Sequence, residues 1–246
     1  MKAVQAEDQS RELSPWWRYS ALLVFIVGMC VLIYISANAY RDAPPIPEKV
    51  VGPEGETVFT SRDVADGQGV FLKYGLMENG TIWGHGAYLG PDFTAEYLHT
   101  LAIHANEVLA REIFGKEFGN LSGEQQEAVN AETRWMLKNN RYDPEAGVLK
   151  FTEAEKTSFE QQIDKWAAHF EGPETTGGLP EKFIQDPEEI RQLTAFFAWT
   201  AWASAAKRPG KEYSYTNNFP YDPMVGNTIT SEIGRASCRD RVCHRV

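Results

Sequence analysis

The chain has 246 residues, 43% of them hydrophobic, enough for one soluble domain of ordinary size and one membrane segment. Net charge is −10; residues 1–40 balance, residues 233–246 carry +3 from four Arg and one Asp, and 41–232 therefore hold −13. A domain that acidic repels nucleic-acid phosphates, which excludes nucleic acid as a partner class.

In chain order, residues 1–18 read as a polar, cytoplasmic amino-terminal segment. Between Arg18 and Arg41 lie 22 uncharged residues, Tyr19 to Tyr40. As a helix they reach roughly 33 Å, enough for a hydrocarbon core of about 30 Å. Trp16, Trp17 and Tyr19 sit at one end and Tyr34 and Tyr40 toward the other, in the manner of interfacial aromatic belts. The reading is a retained transmembrane helix over 19–40. The alternatives are a cleaved signal peptide, for which Ala37-Asn38-Ala39 is a loose cleavage pattern, or a buried core helix. Arg41 and Lys49 against three basic residues in the first 18 favour an amino terminus inside, though by a small margin.

Residues 41–60, with Pro44-Pro45-Ile46-Pro47 and Gly52-Pro53-Glu54-Gly55, read as an extended linker. A short helix over about Ser61–Tyr74 follows, capped by Ser61 or Asp63. The loop 75–91 carries five Gly, a composition of functional loops. Apolar residues at helical spacing predict a helix over Phe93–Phe114, stopped by Gly115. Ser122-x-x-Gln125 and Thr152-x-x-Glu155 are capping-box patterns that open two more helices. Between them, Asp143-Pro144-Glu145-Ala146-Gly147 turns a small hairpin joining Arg141-Tyr142 to Val148–Phe151. Asp186-Pro187-Glu188-Glu189 starts a last helix, to about Ala206. Its uncharged run Leu193–Ala206 is too short to span a bilayer. It is either a buried core helix or a helix packed at the membrane surface.

The segment Asp66-Gly67-Gln68-Gly69-Val70-Phe71-Leu72-Lys73-Tyr74, then Gly84-His85-Gly86-Ala87-Tyr88-Leu89-Gly90-Pro91-Asp92-Phe93, resembles the surroundings of the haem-attachment site in the cytochrome c-like part of respiratory nitric oxide reductases. In the cytochrome c-dependent enzymes a Cys-x-x-Cys-His motif precedes the Gly-x-Gly-Ala-Tyr by a fixed distance. Those three places hold Leu76, Asn79 and Gly80 here. Covalent haem needs two thiolates and an imidazole, so the chain is similar to the single-chain, quinol-dependent members. Phe196–Ala203, Arg208-Pro209-Gly210, Tyr213–Pro220 and Val225-Gly226-Asn227-Thr228 resemble the segment before the second membrane helix of those enzymes. The likeness covers roughly 14–232.

The resemblance implies a mainly α fold: one amino-terminal transmembrane helix, then an extracytoplasmic, haem-less cytochrome c-like domain over 61–232 with a small β-hairpin. It implies the amino-terminal part of a bacterial inner-membrane enzyme that joins two NO into N2O and water with two electrons from a quinol and two protons. Haem b, haem b3 and non-haem iron would be held on later helices, with no cofactor in this part. The partners implied are membrane lipid, those later helices and, for the whole enzyme, quinol. In the family's two-subunit members a Gly-x-Tyr at this place helps hold a calcium ion, which makes Gly86 and Tyr88 the metal-ligand candidates; the alternative is that Tyr88 packs against the later helices. No catalytic residue is expected in this part. The alternative function is a complete single-pass membrane protein whose acidic domain binds a ligand or partner.

Other candidates are less specific. Glu96-x-x-His99 and His104-x-x-Glu107 share residue types with di-iron sites, but His99 and His104 are about 500° apart around a helix. They read as capping or solvated side chains, and His169 as structural. From Ile233 the composition shifts to four Arg and two Cys in 14 residues, which reads as a non-native tail. Cys238, Cys243 and His244 within it match no standard zinc or haem spacing. With Cys30 in the apolar span, no cysteine lies between 31 and 237, and disulfides say nothing about compartment.

Overall fold

The computed structural model describes residues 15–172 and 178–228. The proposed tail over 233–246, with Cys238, Cys243 and His244, lies outside them. The chain divides after Ala43 into two units.

The first unit contributes one helix, α1 (Pro15–Arg41), which extends the predicted span at both ends. Its 27 residues rise about 40 Å. Among the described residues it is the one helix long and apolar enough to cross a membrane. Leu22, Val24, Phe25, Ile33 and Ile35 all present exposed side chains, as lipid contact requires. Arg41 closes the last turn, where a cation opposes the negative end of the helix dipole.

The second unit is mainly helical, with a small mixed sheet at one side. Strands β1 (Lys49–Val51) and β2 (Thr57–Thr60) pair antiparallel. Helix α2 (Ser61–Lys73) follows, then β3 (Thr81–Ile82) and β4 (His85–Gly86), which form a two-stranded ribbon. Helices α3 (Phe93–Phe114) and α4 (Gly123–Lys138), strands β5 (Tyr142–Asp143) and β6 (Val148–Lys150), and helices α5 (Glu153–Glu171) and α6 (Pro187–Ala205) complete the order. The first sheet runs β2-β1-β6-β5, with β1 and β6 parallel.

Residues 49–60 therefore do not form the extended linker read from their Pro and Gly. Val50, Val58 and Phe59 are buried, and Phe59 meets Phe151 and Phe159 at ring distances of 5.7 and 5.2 Å. Gly52 and Gly55 only shape the turn between the strands. The cap of α2 also differs by one residue: Thr60 is the cap, its hydroxyl accepting from Asp63 N while Asp63 accepts from Thr60 N at 2.7 Å. The capping boxes at Ser122/Gln125 and Thr152/Glu155 form as their spacing predicts. Glu155 also takes Arg141 Nη2 at 2.6 Å on both oxygens, a nearly buried ion pair tying the β5–β6 hairpin to α5.

Helix α6 is the centre of the core. Leu193, Ala195, Phe197, Ala201 and Ala203 are fully shielded, which decides the Leu193–Ala206 run as a buried core helix. Its small residues let neighbours approach, and Gly67 of α2 lies directly against it. A Cβ built there would lie 2.0 Å from the carbonyl oxygen of Gln192. Gly69 has open space instead, so only the first glycine of Gly67-Gln68-Gly69 is needed for packing.

Candidate functional site

The segment between α2 and α3 folds as a compact, double-sided loop. Gly75 takes the left-handed conformation (φ 60°) that ends α2, and a single 3-10 turn follows over Leu76–Glu78. The β3–β4 register pairs Thr81 with Gly86 and Ile82 with His85, leaving Trp83-Gly84 as a two-residue turn. Both turn residues have positive φ, 53° and 74°, the requirement of a type I′ hairpin. A tryptophan in that conformation is uncommon. It is held because its indole N–H donates to Thr200 O at 3.1 Å and its ring sits 5.5 Å from that of Trp199.

Asp92 fastens the hairpin to α3. One carboxylate oxygen accepts from Ala95 N (2.8 Å) as the helix cap, and the other from Thr81 Oγ1 and Gly84 N (2.7 Å each). The Pro91-Asp92-Phe93 sequence signals the cap but not the two bonds to the hairpin. Gly86 (φ 140°) lies where an added Cβ would stand 2.3 Å from Gly80 O. His85 places Nδ1 2.9 Å from the Trp83 carbonyl oxygen, and Tyr88 donates its hydroxyl to Gly84 O at 3.1 Å.

The three places where a covalent haem would be gripped face inward. Leu76 is fully shielded, Asn79 is buried, and the Asn79 carbonyl accepts from Leu89 N and Gly90 N. Gly80 has no room for a side chain: a Cβ would meet Pro91 O at 2.2 Å and the Phe93 ring at 2.7 Å. Phe93 in turn stacks on Phe197 (5.0 Å, 8°) and contacts Phe71 (5.8 Å) and Trp166 (5.7 Å). Aromatic rings occupy the space beneath the loop.

The outer side is different. Tyr88 is 84% exposed, with Leu89, Met77 and Phe219 exposed around it. A cleft of about 680 Å³ runs along this face, lined among others by Pro44, Trp83, His85, Tyr88, Tyr215 and Phe219. Gly86 and Tyr88 thus lie two residues apart on one loop, and one of them lines the cleft. Among the described residues no group of three or more His, Cys, Asp or Glu could hold a metal ion. The oxygens at this rim are neutral.

The other described histidines have structural surroundings. His99 Nδ1 lies 3.0 Å from Asp222 Oδ2, which pins the segment after α6 to α3. His104 Nδ1 lies 3.1 Å from Ser158 Oγ. Glu96 pairs with Lys165, and Glu107 accepts from Phe118 N, so neither helix motif assembles a ligand set. His169 rests edge-on against Trp166 and Phe170. Burial first, then the nearby Lys165, pushes both His104 and His169 below the ordinary imidazole range.

No curated protein matches the chain. A family model for the NorB cytochrome c-like domain of nitric oxide reductase matches residues 47–221. The match takes in β1 and β2, the loop and all of α6, and it stops before Val225–Thr228. Spanning more than two thirds of the chain and both faces of the loop, it shows that the protein belongs to the family of NorB cytochrome c-like domains of nitric oxide reductases.

Proposed function

We propose that the chain is the amino-terminal part of a quinol-dependent nitric oxide reductase of the bacterial inner membrane, with α1 as anchor and the second unit on the periplasmic side. In this reading the domain is structural. The observation that carries it is Gly80: the position that would supply the iron's imidazole is closed by Pro91 and Phe93, while Leu76 and Asn79 supply no thiolate. A domain built this way relays no electrons through a haem of its own. Electrons for the overall reaction, 2 NO + 2 e⁻ + 2 H⁺ to N2O + H2O, then come to the later helices from a membrane quinol.

The exposed rim supports contact with those helices, because an apolar patch of this kind at a soluble surface marks an interaction site. Gly86 and Tyr88 fit part of a calcium site there. A hard cation takes six to eight oxygens, of which a glycine carbonyl and a tyrosine oxygen would be two neutral ones. The carboxylates would come from the later helices. Bound calcium would add a fixed positive charge that holds the loop against its partner. Haem b, haem b3 and non-haem iron belong to the later helices in this reading.

The test is donor specificity. Membranes carrying the full enzyme should reduce NO with a reduced quinol and fail to do so with reduced cytochrome c. Turnover with cytochrome c alone would overturn the assignment.

A further inference from the structure

A second concavity lies away from the loop and has the opposite electrostatic character. The groove, about 560 Å³, opens between the end of α4 and the turn that follows α6, a volume within the range of small-molecule sites. Lys138, Lys207, Arg208 and Lys211 line it, with Glu212 as the single carboxylate and Trp135 as an exposed wall. Four cations gather there in a domain whose charge is otherwise strongly negative.

The sequence builds this cluster by two local devices. Arg208-Pro209-Gly210-Lys211 is a β-turn closed by Lys211 N donating to Arg208 O (2.9 Å), with Gly210 at φ 71°. Pro at the second and Gly at the third position are the residues such a turn calls for. Lys207 N donates to Lys138 O at 3.0 Å, which brings the end of α4 against the start of the turn. Arg208 is fixed by its Tyr215 contacts, the guanidinium lying 5.2 Å from the ring centre and Nη2 donating to Tyr215 O.

Two of the ammonium groups have described partners, and they differ in kind. Lys138 donates to the amide oxygens of Asn218 and Asn227, and among the described residues no carboxylate pairs with it. Its burial and, next, the charge of Lys207 push its pKa down to about 8. Lys207 pairs with Glu212, whose side chain is 91% exposed. Such a solvent-screened pair contributes little and yields readily to a stronger anion.

We propose that this groove binds a phosphate group, with Lys138, Lys207 and Lys211 as its charge partners. Net charge favours phosphate over a single carboxylate, since four cations against one acid leave room for a dianion. Free phosphate and the headgroup of an anionic phospholipid share that chemistry.

The experiment is calorimetric titration of the full chain in a neutral detergent at low ionic strength. One arm uses inorganic phosphate, the other short-chain phosphatidic acid with short-chain phosphatidylcholine as control. Both arms are repeated with the double variant Lys207→Gln/Lys211→Gln, whose surface positions leave folding intact, as an unchanged melting curve will verify. The expected result is saturable binding in at least one arm, at least ten-fold weaker in the variant. Phosphate binding assigns the free anion; binding of phosphatidic acid alone assigns the lipid headgroup. No saturable binding in either arm, or equal affinity in the variant, overturns the proposal.

Discussion

The two sides of the loop between α2 and α3 are built to opposite specifications. Its inner side, at Leu76, Asn79 and Gly80, is buried, and Gly80 closes onto Phe93, which packs in turn on Phe71, Phe197 and Trp166. Its outer side, at Tyr88 and Leu89, keeps large apolar side chains in the open, Tyr88 beside a broad cleft. An aromatic ring stabilises the first by filling volume, whereas on the second it gains nothing until something covers it. The inner side therefore carries stability, and the proposed function assigns the outer side to contact. Substitutions should separate the two.

The largest effect is expected inside. Phe93→Ala removes the ring shared by Phe71, Trp166 and Phe197 and should cost about 3–5 kcal/mol, read as a fall in the melting temperature of the detergent-solubilised chain. A variant that melts like the parent would show that the aromatic filling is not what holds the loop. Gly67→Ala comes next. Its methyl group meets the Gln192 carbonyl, and the expected cost is about 1–3 kcal/mol, with Gly69→Ala as the control that costs nothing of this kind.

Acid tests the helical core more gently. The neutral forms of His104 and His169 are favoured by the fold, so their folded pKa values lie below the unfolded ones. Their contribution is complete above the ordinary histidine value of roughly 6.5 and is lost as pH falls through that value toward the folded pKa. Stability measured between about pH 7 and pH 5 should decline, and His169→Phe should flatten the decline. An unaltered slope would remove His169 as a source of it. The smallest effect on stability belongs to the rim. Tyr88→Phe deletes one exposed hydroxyl and should shift stability by less than about 0.5 kcal/mol, yet weaken any calcium-dependent association of this domain with the remaining helices. A large loss of stability would place Tyr88 in the fold and not in the contact surface.

Much of the helical frame is legible in the chain because its signals are local. The bounds of α3 follow from Phe93, Tyr97, Leu98 and Leu101 at helical spacing and from Gly115, and the capping boxes at Ser122 and Thr152 name their own helices. Strands β1 and β2 are hidden for the opposite reason. Val50, Val58 and Phe59 are buried by distant partners in β6 and α5, while the adjoining Pro and Gly carry the local signal. Trp83 at positive φ breaks local preference and is stabilised by Thr200 and Trp199, more than a hundred residues away. The candidate pair Gly86 and Tyr88 comes from family likeness alone. The reason Gly86 has no side chain, its approach to Gly80, becomes visible only in the fold. The basic groove joins residues 135–140 to 207–212, a juxtaposition that neither segment announces.

Whether the inner side has truly given up haem is decided by the absorption spectrum of the purified chain, produced in cells with an active c-type haem maturation system. No Soret band and no covalently bound haem after denaturation are expected, because position 80 cannot admit an axial ligand and positions 76 and 79 cannot form thioethers. A haem signal that stays with the denatured polypeptide would contradict the closed, haem-free loop.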